Sequence, residues 1–473
     1  MSEPEMKFTK NYFLVDPNKA SFLDLLLVLF TSDLSKRKFV DSPPETLGTS
    51  RSTFTSRFII FAAVVVQKIL IFLRKPLAKL GGAFTFWLNL LDNNGGFFKL
   101  IVHLLTGKVV WPKESSATYT SFIGSSDRRV ELDAKMNVGS EEYKSMLSLM
   151  AAKVAYENQA FTTSTVRNHW KMEYLDFYEC YNAYQELKLT EAFMFKASDS
   201  NLIVVSFRGT EPFNSDDWCS DLDISWYELK NVGKVHAGFM KALGLQKNGW
   251  PKEIIQLLNK YAYYAIRQKL RDMFILDKTS KFILTGHSLG AALAALFPAV
   301  LAIHGEDKLL DRCEGVYTFG QPRVGDEQFG EFMKGVMNKH DIKYKRFVYC
   351  NDLVPRIPFD DTMLFGFKHY GPCIYFNTLY KGRVCEDQPN KNYFSILWFI
   401  PKLLTAVWEL IRSFIIPFWK GKDFKENWLM RLIRVMGLLL PGASDHFPCD
   451  YVSSMRLGGL PQSSPDEKLS LIV

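Results

Sequence analysis

The stretch FILTGHSLGAALAAL, residues 282–296, leaves the surrounding chain little freedom. Its apolar start reads as the end of a strand, and the Ala/Leu run that closes it reads as a helix. Only Gly286-His287-Ser288-Leu289-Gly290 lies between them. A strand passing straight into a helix belongs to a sheet with helices on its faces. Small residues two positions either side of a serine suit a strained strand-to-helix turn, where strand and helix approach closely and the Oγ stands exposed at the tip. The residues therefore offer two readings: a nucleophile at Ser288, or a plain tight turn.

The chain from about residue 131 onward repeats the rhythm. Residues 191–210, EAFMFKASDSNLIVVSFRGT, read as two strands around a Ser-Asp-Ser-Asn turn. GVYTFGQPRVG (315–325) and YKRFVYCNDLVPRIP (344–358) read as strands running into loops. Strands alternating with helices predict an α/β fold with a central, mostly parallel sheet over residues 131–473, and a nucleophilic serine at the strand-to-helix turn would make it one of the α/β-hydrolase class. No internal repeat is present.

A nucleophilic serine needs a base, and the base needs a carboxylate to hold its tautomer. In this fold class the order along the chain is Ser, Asp/Glu, His. Asp352, just past the strand RFVYC, can reach the sheet edge that carries Ser288; Asp326 in PRVGDE is its rival. Among the histidines after Ser288, His340 precedes Asp352 and falls out. His369 follows the acid closely, and His446 follows at a distance that becomes reasonable once the apolar segment 391–440 is set aside. Residue reasoning favours His446 and leaves His369 open. The N–H of Leu289 opens the helix where an oxyanion would form. Thr210, in the turn of VVSFRGTEP, can supply a second donor, with Arg208 anchoring that turn. The stretch after it, residues 211–226, mixes acids with Trp218 and Trp226 and is a candidate lid. His236 and His287 read as structural, although His287 sits inside the turn.

The flanks differ in kind. Residues 1–113 hold 15 Lys/Arg against 8 Asp/Glu, and residues 391–440 hold 8 against 3, whereas the remainder is net acidic. These two basic parts are also the most apolar. That pairing points to an anionic membrane or lipid surface rather than nucleic acid, and no nucleic-acid-binding signature appears. The run Phe58–Leu73 contains Gln67 and Lys68, is marginal for a membrane span, and is expected to stop at Arg74-Lys75-Pro76. With the apolar pieces that follow, it reads as a hairpin dipping into one leaflet or as interfacial helices. Residues 1–130 are accordingly taken as a basic, apolar, lipid-associating region of helices. In 391–440, Lys402, Thr405, Glu409 and Arg412 share one helical face opposite a Trp- and Phe-rich one, so amphipathic helices are expected. Four of the ten tryptophans lie there. The polar first residues do not read as a secretory signal. Seven scattered cysteines without a Cys-x-x-Cys pair indicate neither a disulfide framework nor a zinc site.

Taken together, VVSFRGT, VHAGF, LTGHSLGAALAAL, TFGQPRVG, NDLVPRIP and DHFPCDY resemble the class 3 lipase family, which contains the filamentous-fungal triacylglycerol lipases. The resemblance covers roughly residues 195–455. It implies Ser288, Asp352 and His446 as a triad, Thr210 and Leu289 as oxyanion donors, Gly286, His287 and Gly290 as the nucleophile elbow, and no metal or cofactor. It also implies that His369 does not catalyse. The missing signal peptide and the two added regions make the chain similar to the plant oil-body lipases of that family. The implied activity is triacylglycerol hydrolysis through an acyl-enzyme, at a lipid-droplet or membrane surface facing the cytosol. A phospholipase A1 or galactolipase, and a non-catalytic lipase-like scaffold, are the alternatives.

Overall fold

In a computed structural model, the described residues are 8–461 apart from 45, 47–52, 134–135, 198–199, 248, 255–259, 359–365 and 392–395. Their strands are β1 (Asn11–Val15), β2 (Val40–Asp41), β3 (Glu173–Asn182), β4 (Leu187–Ala197), β5 (Leu202–Phe207), β6 (Trp226–Leu229), β7 (Gly233–His236), β8 (Lys281–His287), β9 (Cys313–Phe319), β10 (Lys343–Tyr349), β11 (Cys373–Phe376) and β12 (Gly382–Cys385). The helices that matter below are α1 (Phe22–Phe30), α2 (Phe54–Asn93), α3 (Phe97–Thr106), α4 (Glu141–Val154), α5 (Ser215–Asp221), α6 (Leu289–Ile303), α7 (Phe399–Lys420), α8 (Trp428–Gly437) and α9 (Pro448–Gly458).

Eight strands form one sheet in the order β12-β11-β10-β9-β8-β5-β4-β3. The central neighbours β11, β10, β9, β8 and β5 run parallel, and antiparallel pairs close both edges. Parallel strands covered on both faces must be apolar throughout, as LIVVSF and FILTG are. Alternate residues of β8 enter opposite cores. Phe282 and Leu284 pack with α6, whereas Ile283 packs with Met146 and Met150 of α4 and Tyr451 of α9. The register pairs Phe207 with Gly286 and His287 with Phe319, so the carboxyl ends of β5, β8 and β9 come out level. That edge is where open α/β sheets bind ligands.

A second sheet, β2-β1-β6-β7, ties the start of the chain to residues 226–236. Phe13 and Trp226 stack 6.4 Å apart. Leu25 and Val28 of α1 and Ile60 and Val64 of α2 complete that small core.

The expected stop at Arg74–Pro76 does not occur. Helix α2 continues for 40 residues, through Pro76 and past Gly81 and Gly82. An interior proline costs a helix about 3 kcal/mol, and tertiary packing is what can offset it. The second half of α2 has that packing. Arg74 pairs with Asp216 at 2.8 Å, and Gly81 seats against Phe213, whose Cβ would lie 2.4 Å from any Cβ added there. Among the described residues, α2 is the helix long and apolar enough to cross a membrane, with 22% of its most apolar window buried.

The 391–440 segment contributes α7 and α8. Lys402, Glu409 and Arg412 do share a face of α7, but that face is buried, and the apolar face points outward.

Candidate active site

Ser288 lies between β8 and α6 with φ 59° and ψ −130°. A left-handed φ is uncommon for a residue with a Cβ, and such strain clusters at functional sites. The flanking glycines make the turn possible. A Cβ on Gly286 would lie 2.2 Å from the Gly290 carbonyl carbon, and one on Gly290 would lie 2.2 Å from the Phe207 oxygen. Strand and helix therefore cross backbone against backbone.

The loop after β10 carries Asp352, and the short turn Ser444–His446 before α9 carries His446. The structure brings both to Ser288. His446 Nε2 is 2.8 Å from Ser288 Oγ, and His446 Nδ1 is 2.9 Å from each carboxylate oxygen of Asp352. Tyr451 Oη donates to Asp352 Oδ2 at 2.5 Å and the Val354 N–H to Oδ1 at 2.9 Å. Burial works against ionisation of Asp352, but the facing imidazole and these donors win, and its pKa falls below the usual carboxylate value. A carboxylate so held fixes the Nδ1–H tautomer and leaves Nε2 free to take a proton from Ser288.

His287 lies on the far side of the turn. Its Nε2 is 2.7 Å from the His446 carbonyl oxygen, which can only accept, so Nε2 carries the hydrogen. Nδ1 must then accept from Tyr156 Oη, at 2.8 Å. Burial, reinforced by His446, lowers the His287 pKa to about 3, so the ring stays neutral. A neutral imidazole thus ties the backbone of His446 to Tyr156. Neither Tyr156 nor its partner role carries any local sequence signal.

Thr210 follows β5 and is buried; its Oγ1 donates to Asp221 Oδ2 at 2.5 Å. Burial, with Asp217 nearby, raises the Asp221 pKa to about 8. Burial likewise raises Asp217 to about 7, although Arg208 opposes it. Arg208 pairs with Glu191 at 2.6 Å and anchors the loop. Leu289 heads α6, and first-turn N–H groups have no carbonyl partner within their own helix. Asp326, the rival acid, caps the helix Glu327–Lys339 by accepting the Phe329 N–H. His369 Nε2 is 2.7 Å from the Pro355 carbonyl oxygen, and desolvation of the ring drives its pKa well down. His236 accepts the Phe239 N–H and stacks on that ring.

Trp218 lies on α5, with Nε1 donating to the Pro212 carbonyl at 3.1 Å. Helix α5 is itself covered by α2. Phe213, Phe84 of α2, Phe122 and Phe447 form an aromatic cluster beside His446, with neighbouring centroids 5.2–6.5 Å apart. Ser288 is only 4% exposed beneath these layers. A cavity of about 670 Å³ lies alongside, bounded by Tyr156, Glu157, Arg208 and Phe213 and by Arg74 and Gly81 of α2. Among the described residues, no cluster of side chains suits a metal ion.

A family model described as lipase (class 3) matches residues 204–362. Triacylglycerol lipase OBL1 of Arabidopsis thaliana is 38% identical over 98% of this chain and 96% of its own. The protein of that name from Ricinus communis is 36% identical over 95% of each chain. Among solved structures, lipase II from Rhizopus niveus covers 55% of this chain and 93% of its own, at 22% identity and a TM-score of 0.40.

Proposed function

The chain belongs to the class 3 lipase family and is a triacylglycerol lipase, and on that premise we propose how it acts. Ser288 Oγ attacks the ester carbonyl while His446 Nε2 takes its proton. The tetrahedral oxyanion is stabilised by the N–H groups of Thr210 and Leu289, with the Thr210 side chain held in place by Asp221. Collapse expels the diacylglycerol oxygen, which receives the proton from His446, and leaves an acyl ester on Ser288. Water, deprotonated by His446, then releases the fatty acid. Asp352 keeps the imidazole in one tautomer and stabilises its cation throughout. His287 and Tyr156 are positioning residues. The observation that carries these roles is the unbroken hydrogen-bonded chain from Ser288 Oγ through His446 to Asp352.

Of the expected lid stretch 211–226, residues 211–221 act as a lid over the site, Trp218 among them, and α2 lies on it; Trp226 is instead buried in β6. The workplace is a lipid surface, in this reading the cytosolic face of a lipid droplet. Support comes from the apolar residues that α1, α2 and α3 leave exposed, including Phe22, Phe30, Phe72, Phe98 and Leu105. A membrane would accept such faces and water penalises them.

The test is fatty-acid release from emulsified triolein and from phosphatidylcholine vesicles by wild type and Ser288→Ala. Release from triolein that disappears in the variant is the expected result. Preferential release from phosphatidylcholine would make the chain a phospholipase. Release that survives in Ser288→Ala would overturn the assignment of the nucleophile.

A further inference from the structure

An amphipathic helix on a water-soluble body ordinarily buries its apolar stripe and shows its charges to solvent. Helix α7 does the reverse. Its three charged residues before Lys420, namely Lys402, Glu409 and Arg412, are all buried, and from Leu397 to Trp419 the outward face carries no charge. Leu397, Phe418 and Trp419 are 88%, 91% and 69% exposed. At 1.5 Å per residue, α7 alone is about 33 Å long. Helix α8 and the turn after it extend the surface with exposed Trp428, Met436 and Leu439.

The buried side explains the inversion. Arg412 and Arg434 each lie 2.9 Å from Asp450 Oδ1, on α9. Glu409 accepts from Arg434 at 2.9 Å and from Tyr349 at 2.7 Å, and Glu426 pairs with Arg434 at 2.6 Å. Buried ions are tolerated only when paired and hydrogen-bonded in this way. Asp450 lies four residues after His446. The hairpin is therefore bolted through its charges to the helix that follows the catalytic histidine, and its apolar side has nowhere to go but outward.

We propose that the outer face of the α7–α8 hairpin is a docking surface for a lipid monolayer, held rigidly to the catalytic histidine by the Glu409–Arg412–Arg434–Asp450 cluster. The inference rests on the lipase reading above and deepens it. Two further observations favour lipid over another protein. The turn between the helices exposes Lys420, Lys422 and Lys425 with one exposed acid, Asp423, because Glu426 is buried against Arg434, and it lies next to Trp419 and Trp428. Lysine and tryptophan bordering an apolar face are what an anionic headgroup layer accommodates. The inner side of α8 is also tied to α2, because Leu88 packs with Leu429, Met430 and Ile433 of α8 and with Cys449 of α9, so the exposed apolar residues of α2 are held on the same body. Docking through this surface would present the aromatic cover beside His446 to the lipid in one fixed orientation.

The full-length protein carrying Ile411→Glu, Phe418→Glu and Trp419→Glu tests this. Flotation with triolein emulsions coated in phosphatidylcholine and phosphatidylserine reads binding. Hydrolysis of those emulsions is compared with hydrolysis of monomeric p-nitrophenyl butyrate. The expected result is at least a tenfold loss of emulsion binding and triolein turnover, with the soluble-ester rate within twofold of wild type. A second variant, Lys420→Glu/Lys422→Glu/Lys425→Glu, should lose binding to phosphatidylserine-containing emulsions at low salt, severalfold more than to neutral ones. Unchanged binding in both variants would overturn the proposal. So would light scattering that shows a wild-type dimer, dissolved by the first variant while lipid binding persists, because the face would then be covered by a second copy. A wild type that floats with emulsions but cleaves neither substrate would instead refute the lipase reading, and flotation would still decide the docking surface.

Discussion

Replacing Gly290 by alanine adds a single methyl group, yet the geometry of the elbow makes it a severe change. The new Cβ would stand 2.2 Å from the Phe207 carbonyl oxygen and 2.9 Å from the Arg208 carbonyl carbon and oxygen. Ordinary contact begins near 3.4 Å, so α6 and the end of β5 must part by about 1.2 Å. Both are backbone, and neither can rotate away as a side chain would. The parting separates the Leu289 N–H, at the start of α6, from the Thr210 loop, at the end of β5. In the proposed mechanism these are the two donors that converge on one oxyanion. Misplacement of about 1 Å costs about 10²-fold in rate, and overpacking a core costs about 1–3 kcal/mol. Gly290→Ala is therefore expected to lower kcat on p-nitrophenyl butyrate about a hundredfold and to destabilise the fold by about 1–3 kcal/mol in denaturant titration. The control is Gly335→Ala, in the helix Glu327–Lys339, where an added Cβ meets nothing within 4 Å. It should keep full activity and gain about 0.5–1 kcal/mol. A Gly290→Ala protein with wild-type rate and stability would refute the close-approach argument.

Three other outcomes follow from the same structure. Asp352→Asn should lower kcat by about three to four orders of magnitude without abolishing substrate binding, because His446 loses the carboxylate that lies 2.9 Å from its Nδ1; steady-state kinetics on the soluble ester reads it. Asp221, with its pKa raised to about 8, keeps in the folded state a proton that the unfolded chain releases near pH 4. Its contribution to stability therefore falls as pH rises from about 4 to 8, by at most about 1.4 kcal/mol per pH unit. Asp221→Asn should flatten the decline of unfolding free energy across that window, and equal slopes in the two proteins would refute the assignment. Arg74→Gln removes the half-exposed ion pair between α2 and Asp216 of the proposed lid. Such a pair is worth about 0.2–1 kcal/mol, so the soluble-ester rate should rise by no more than about fivefold.

Much of the chemistry was legible in the order of residues because it follows local rules. Glycines at 286 and 290 around a serine, a strand before and a helix after, already imply the backbone crossing that the coordinates display. Asp352 is readable because it closely follows a strand that must enter the same sheet. The histidine was less so: His369 and His446 are both chemically competent, and only the path of the chain decides which reaches Ser288, 158 residues away from His446. Tyr156 and Asp221 left no signal, since a single hydrogen bond across the fold imposes no spacing on the sequence.

The flanks divide in the same way. Periodicity by itself determined that α7 has a charged face and an apolar one, because 3.6 residues per turn separate them whatever surrounds the helix. It could not say which face turns inward. That was decided by partners at positions 426, 434 and 450, which the tertiary fold gathers around Glu409 and Arg412. Likewise Pro76 and the paired glycines are local reasons to break a helix, and α2 runs through them because Asp216 and Phe213 lie where its second half can pack. Local propensity is worth at most a few kcal/mol per residue, and contacts between distant segments exceed it where the fold supplies them.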